Sequence, residues 1–307
     1  MSTPSTSAAA THLPPPGGTR HLETTVLGRR IFYRDSGTDD APTLLLLHGF
    51  PSGSHQFRRM FDVLGARYRL VAPDYPGFGH SESPPPGVGA GRFEYTFDNV
   101  AAVVEAFVEQ LGLAPFVMYV FDYGAPIGFR LAARHPDWVR GLVVQNGNIY
   151  EEGLSETAKV VTALRPGDPG ADERIRQLLR PEITRSQYLT GAGDPTRISP
   201  DGWTLDQHFL DLPGRDDIQV ALHLDYHSNL PHYPDWQAWL RRHRPPTLVT
   251  WGRGDPFFTE VGARAYVDDL PDAEVHLFDT GHFALEEALE PIAALIDRFL
   301  GRLGGLS

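Results

Sequence analysis

The chain has 307 residues, of which 41% are hydrophobic, and its 39 acidic and 27 basic side chains leave a net charge of -12. That is enough apolar material for one large domain or a core with an inserted piece, while the acidic balance disfavours nucleic acid, whose phosphates need concentrated Lys and Arg. The lack of cysteine excludes disulfides, thiolate metal sites and a cysteine nucleophile, and it fits a reducing compartment.

Residues 1–20, MSTPSTSAAATHLPPPGGTR, are small, polar and proline-rich and read as a disordered tail. They lack a basic start followed by an apolar run, so no signal peptide is expected. No apolar stretch approaches the ~20 residues that span a bilayer. A soluble, cytoplasmic protein without membrane partners is expected. Strand-like runs follow at Arg29–Asp35, Pro42–Gly49 and Tyr68–Asp74. A helix is predicted from about Asp98 to Leu113, with Val100, Val103, Val104, Phe107, Val108 and Leu111 near a 3.6-residue period. The strand FVMYVF, a helix through Leu131 and the strand Val139–Asn146 come next. Residues 147–241 are rich in Pro, Gly, Asp and Trp, with helical fragments and no clear strand. The strand–helix alternation returns with Pro246–Gly252, a helix near Val261–Asp269, Ala273–Phe278 and a last helix from about Leu285 to Leu303.

Continuous apolar strands separated by helices predict an α/β fold with a mostly parallel central sheet flanked by helices. The interruption is too long for a loop in a compact domain. The division expected is therefore a core of 21–146 and 242–307 with an inserted helical cap of 147–241. Ligands of such sheets sit beyond the carboxyl ends of the strands, where the cap would roof them. The basic run Arg241–Arg244 reads as a solvated helix end.

Asp122 breaks the run VMYVFDYGAPIGFRLA between a strand and a helix. A strand, a sharp turn with one exposed side chain and a helix make a nucleophile elbow. Gly124 stands where a side chain would crowd the turn, and Pro126 lies in the first helical turn, where its missing N–H costs no bond. The helix N-terminus favours an ionised carboxylate there. On this stretch alone, a simple helix cap accounts for Asp122 equally well. The turn after His48-Gly49 can aim the Phe50 N–H at the elbow, and the Tyr123 N–H supplies a second donor, together an oxyanion hole. Asp255 follows one strand and His282 follows the last. Taken singly, turn chemistry explains the first and a solvated loop the second. Nucleophile, acid and base nevertheless fall in one chain order, each at a strand end.

In that order, and in the stretches HGFP, DYPGFGHSESP, FDYGAPIG, WGRGDPFF and DTGHFALE, the chain resembles the α/β-hydrolase superfamily from about Arg20 to Leu303. It resembles most the branch with an aspartate nucleophile, the epoxide hydrolases and haloalkane dehalogenases. Val120 and Phe121 replace the Gly-His that usually precedes that aspartate. No G-x-S-x-G occurs, and neither Ser81 nor Ser155 stands between a suitable strand and helix, which disfavours a serine esterase. The resemblance implies attack by Asp122 on saturated carbon, an alkyl-enzyme ester, and hydrolysis by water activated by His282, which Asp255 orients.

Side chains that hold a halide in dehalogenases are replaced here: Tyr123 stands for the usual Trp and Phe50 for Asn. The arginines of fluoroacetate-type enzymes are replaced by Tyr123 and Pro126. The run Tyr226-His227-Ser228-Asn229 resembles the epoxide-hydrolase segment that supplies an acid tyrosine. Tyr188 is the expected second acid, with Tyr150 behind it. His48, Pro51, Trp203 and Tyr150 are expected to line the pocket with Phe50 and Tyr123. His223 and His227 have zinc-helix spacing, but Leu224 occupies the place of the glutamate. No metal and no cofactor are expected. The function expected is epoxide opening to a vicinal diol, with a small apolar organic substrate and water as partners, in a monomer or homodimer. Haloalkane dehalogenation and a non-turnover small-molecule receptor are the alternatives.

Overall fold

The computed structural model describes residues 18–38 and 40–304. The expected tail thus lies outside the described residues up to residue 17, and its last residue, Arg20, opens a strand. Eight strands form one sheet: β1 (Arg20–Val26), β2 (Arg29–Ser36), β3 (Thr43–Leu47), β4 (Arg69–Pro73), β5 (Phe116–Phe121), β6 (Val139–Gln145), β7 (Thr247–Gly252) and β8 (Glu274–Phe278). Their order is β1-β2-β4-β3-β5-β6-β7-β8. The β1–β2 and β2–β4 pairs are antiparallel, and all later pairs are parallel. β1 is absent from the sequence reading. It alternates exposed and half-buried residues, and its hairpin turn places Leu27 and Gly28 at positive φ. Leucine gives no turn signal, although the geometry is what a two-residue hairpin requires.

Side-chain alternation splits the core between two faces. Leu45 and Leu47 of β3, with Met118 and Val120 of β5, pack beneath α2 (Phe97–Leu111) and α3 (Gly124–Arg134). Leu44 and Leu46, with Val117, Tyr119 and Phe121, pack on the other face against α1 (Arg58–Leu64) and α11 (Ala284–Gly304). The helix α2 begins where the Thr96 hydroxyl accepts the Asn99 N–H at 3.1 Å and ends on Gly112 at positive φ. α11 is not the single smooth helix expected. Ala288 leaves helical geometry three residues before Pro291, whose ring opposes an unbroken helix.

Between β6 and β7 the chain is helical: α4 (Glu156–Thr162), α5 (Ala171–Leu178), α6 (Pro181–Leu189), α7 (Pro200–Leu210), α8 (Arg215–Asp225) and α9 (Tyr233–His243). α10 (Glu260–Asp269) lies between β7 and β8. The boundary expected at 241/242 falls inside α9, since the helix continues until Arg244 turns to positive φ. Buried polar contacts fasten this insertion to the core. His55 meets Asp206 at 2.8 Å, Arg215 donates to the Gly79 carbonyl at 2.9 Å, and Arg130 donates to Asn229 at 2.7 Å. No helix among the described residues is long and apolar enough to cross a membrane.

α3 approaches the sheet closely because Gly128 has no side chain. A Cβ there would meet Met118 Sδ and Val120 Cγ1 at 2.8 Å. Gly128→Val is expected to force α3 off β5 and to destabilise the fold by about 2 kcal/mol or more. Urea unfolding monitored by circular dichroism measures this.

Candidate active site

The site forms where β5, β6, β7 and β8 lie side by side and their carboxyl ends deliver Asp122, Asn146, Asp255 and the loop to His282. Asp122 has φ 49°, a left-handed conformation that costs a non-glycine residue energy and marks the sharp turn of an elbow. Its neighbours make room for it. A Cβ on Gly49 would fall 2.3 Å from the Asp122 Cβ, and one on Gly124 would fall 2.2 Å from the Leu47 carbonyl oxygen. Both glycines are therefore steric requirements of the turn.

The Phe50 N–H donates to Asp122 Oδ1 at 2.7 Å, and the Tyr123 N–H also bonds the carboxylate. His282 Nδ1 lies 2.7 Å from Asp255 Oδ2, while His282 Nε2 lies 3.9 Å from Asp122 Oδ2. The imidazole therefore donates to Asp255 and turns its other nitrogen toward Asp122. Asp255 is tightly held. Its Oδ1 accepts the Phe257 and Phe258 N–H groups at 2.7 and 3.1 Å, and its Oδ2 also accepts Asn146 Nδ2 at 2.7 Å. Asn146 itself has φ 45°, and the Gly252 N–H donates to its Oδ1 at 3.0 Å. This residue ties the ends of β6 and β7 together. It was readable only as the polar last residue of an apolar strand.

Burial raises the Asp122 carboxyl to about 6, against the lowering effects of His282 and the two N–H donors. Desolvation thus outweighs the donors and the helix end that the sequence suggested, while a carboxyl at about 6 stays mostly ionised at neutral pH. His282 is raised. Burial acts to lower it, but the Asp255 and Asp122 charges together overcome that.

A cavity of about 100 Å³ opens on this group, lined by Phe50, Asp122, Tyr123, Gln187, His223, Tyr226, Phe257, Phe258 and His282 together with small and aliphatic residues of the helical insertion. Tyr226 is where the sequence placed it, in the same cavity as Asp122. Its hydroxyl is 3.5 Å from that of Tyr233. Tyr233, missed in the sequence, opens α9 after two short 3-10 turns, Tyr226–Ser228 and Leu230–His232, which bring it back beside Tyr226.

Several expected site residues lie elsewhere. Tyr188 stacks on Phe283 at 3.9 Å and donates to Asp206 Oδ2 at 2.6 Å, while the adjacent Gln187 lines the cavity. One step along a helix rotates a side chain by about 100°. Trp203 packs against Tyr188 outside the cavity lining. Tyr150 donates to Asp269 Oδ2 at 2.7 Å beside Tyr266. His48 is buried below the strand end, stacked on Tyr75 at 3.9 Å, and burial pushes it down to about 4. Pro51 is buried after a cis peptide and does not line the cavity. Ser81 bonds the Asp74 carbonyl and Ser155 caps α4, so neither is an exposed nucleophile. His223 and His227 each turn Nδ1 to a backbone carbonyl of their own segment. A metal-compatible group among the described residues, Glu105, Glu109 and His135, stands apart on α2 and after α3, with Glu105 already paired to Arg134 and His135.

Asp122 binds its proton more tightly in the folded chain than an unfolded aspartate does. Its stability contribution therefore falls as pH rises from about 4 to about 6. Asp122→Asn, which also tolerates positive φ, is expected to stabilise the protein by on the order of 2 kcal/mol above pH ~6.5 and by much less near pH 4. Denaturant unfolding at the two pH values measures the difference.

The model of a protein family described as alpha/beta hydrolase fold matches residues 42–289. An uncharacterized hydrolase of Saccharomyces cerevisiae is 38% identical over 271 residues, 87% of this chain and 91% of that protein. A haloalkane dehalogenase of Mycobacterium marinum is 40% identical over 282 residues, 87% of each chain. Among solved structures, the haloalkane dehalogenase DatA of Agrobacterium tumefaciens superposes with a TM-score of 0.75 at 24% identity, covering 93% of this chain and 97% of that one. The eight-stranded sheet, the elbow and these matches together make this chain a member of the alpha/beta hydrolase fold family.

Proposed function

We propose that this hydrolase opens small epoxides to vicinal diols through an ester on Asp122. The observation that carries the reading is that a tyrosine hydroxyl, Tyr226, shares one small cavity with the buried Asp122 carboxylate. An Asp122 oxygen attacks an epoxide carbon. The C–O bond breaks, and the ring oxygen takes the Tyr226 proton as it becomes an alcohol. Burial raises the Tyr226 hydroxyl well above its ordinary value, with Tyr233 adding to the effect. The proton still moves readily, because an epoxide alkoxide is far more basic than a phenolate.

Ester formation removes the negative charge of Asp122, one of the charges that raise His282. The imidazole then favours its neutral form and accepts a proton from water through Nε2. The resulting hydroxide attacks the Asp122 carboxyl carbon. Charge developing on the carboxyl oxygen is met by the Phe50 and Tyr123 N–H groups, which hold the resting carboxylate. The ester bond breaks, the leaving alkoxide takes the proton from His282, and the carboxylic acid proton left on Asp122 passes through water to the Tyr226 phenolate, which restores both groups. The sum is epoxide plus water to diol.

The names of the relatives favour a second reading, attack of Asp122 on a haloalkane. The cavity lining offers hydroxyls and a carboxamide but no indole, which supports epoxide as the first substrate class.

His282→Gln is expected to accumulate a covalent adduct equal in mass to the added epoxide, and Asp122→Asn to form none. Intact-mass spectrometry reads both, and bromide release from 1-bromopropane without diol from any epoxide would reverse the order of the two readings. Tyr226→Phe is expected to lower kcat for epoxides by about 100-fold or more, and Tyr233→Phe by about tenfold. Diol formation by chromatography measures these effects; equal activity of Tyr226→Phe and wild type would remove the tyrosine from the mechanism.

A further inference from the structure

His223 is 6% exposed and stands on α8 in the wall of the cavity that holds Asp122. Its Nδ1 is 2.8 Å from the backbone carbonyl oxygen of Gln219. A carbonyl oxygen only accepts, so Nδ1 carries the ring proton and Nε2 keeps its lone pair. Burial pushes this imidazole down to about 4, which keeps the ring neutral at physiological pH. The ring stands edge-on to Phe50 at 4.4 Å and 5.5 Å from Tyr123, the two residues whose N–H groups hold the nucleophile. No described side chain or backbone group donates to Nε2. The walls around it are otherwise largely apolar.

An acceptor left open in an apolar pocket is costly unless a donor meets it, and it is the kind of group that sets substrate selectivity. Size narrows the donor's source. The cavity, about 100 Å³, is smaller than the ~150 Å³ that holds a benzene. It suits a compact molecule with fewer heavy atoms than the six of benzene. We infer that His223 Nε2 accepts a hydrogen bond from a hydroxyl on the substrate, so that the preferred substrates are compact hydroxylated epoxides. This rests on the epoxide reading of the Asp122 site and deepens it. His223 acts here as a specificity-determining residue and takes no part in bond making.

Glycidol and 1,2-epoxybutane test it, because they differ by a hydroxyl in place of a methyl. Wild type is expected to favour glycidol by about tenfold or more in kcat/KM. His223→Phe is expected to lose that preference through a raised KM for glycidol, with 1,2-epoxybutane changed by about twofold at most. His223→Gln, which restores an acceptor oxygen, is expected to recover part of the preference. Equal losses on both epoxides, or no wild-type preference, would overturn the inference.

A second measurement separates this inference from the reading it rests on. In protein labelled with 15N-histidine, the His223 Nε2 resonance, assigned by its loss in His223→Phe, is followed during titration with 1-propanol and with methoxyethane. The two have the same heavy-atom count, and only the first is a donor. A shift with the alcohol alone supports the role of His223 whether or not any epoxide turns over. An Nε2 signal unmoved by 1-propanol refutes it. Failure of wild type to open either epoxide refutes the epoxide reading, and the resonance then decides the role of His223 by itself.

Discussion

The site depends on holding one buried carboxylate in a conformation that its own backbone resists. Asp122 sits at φ 49° with its Oδ1 2.7 Å from the Phe50 N–H. Left-handed geometry at a non-glycine residue costs roughly 1–3 kcal/mol, and burial of the charge costs more. The parallel strands β3 and β5 make this possible. Their register sets Leu47 beside Val120, so the turns that follow both strands meet at the same level. Gly49 and Gly124 then remove the side chains that would keep the two turns apart. Donors supplied by backbone rather than by flexible side chains need no reordering when charge moves during reaction.

Electrostatics couple the three ionisable members of the site. Asp255 is fixed by backbone N–H groups and by Asn146, and it holds the His282 ring by one nitrogen. The other nitrogen lies beyond hydrogen-bond reach of Asp122 at 3.9 Å. Loss of charge on one group therefore changes the proton affinity of the other without movement of either. The helical insertion closes over this arrangement and raises the effect of each charge by excluding water. Its fastening to the core through His55–Asp206 and Arg130–Asn229 is buried, so the roof belongs to the packed body of the protein.

Most of the sheet was legible because fully buried parallel strands leave continuous apolar runs such as TLLLL and FVMYVF. β1 was not, since an edge strand with half-exposed residues carries no such run. The kink in α11 escaped because Pro291 acts on the backbone before it, where the apolar period continues undisturbed. In the site, Asp122, Asp255 and His282 were ambiguous singly and stood out through their shared order at strand ends, while Tyr226 stood out through the resemblance of its segment. Tyr188 was misplaced for want of a helical phase: its neighbour Gln187 faces the cavity while Tyr188 turns to Asp206 and Phe283.

Sequence alone thus settled the alternation of elements, whose periodicity depends on residues adjacent in the chain. Asp122, Asp255 and His282 stood out only together, through their order along the chain at strand ends. Tertiary packing decided which insertion side chains reach the cavity, how far burial raises Asp122, and that Asn146, Tyr233 and His223 belong beside it. Those outcomes depend on helix rotation and on desolvation by segments more than a hundred residues away, and neither is written in a short window of sequence.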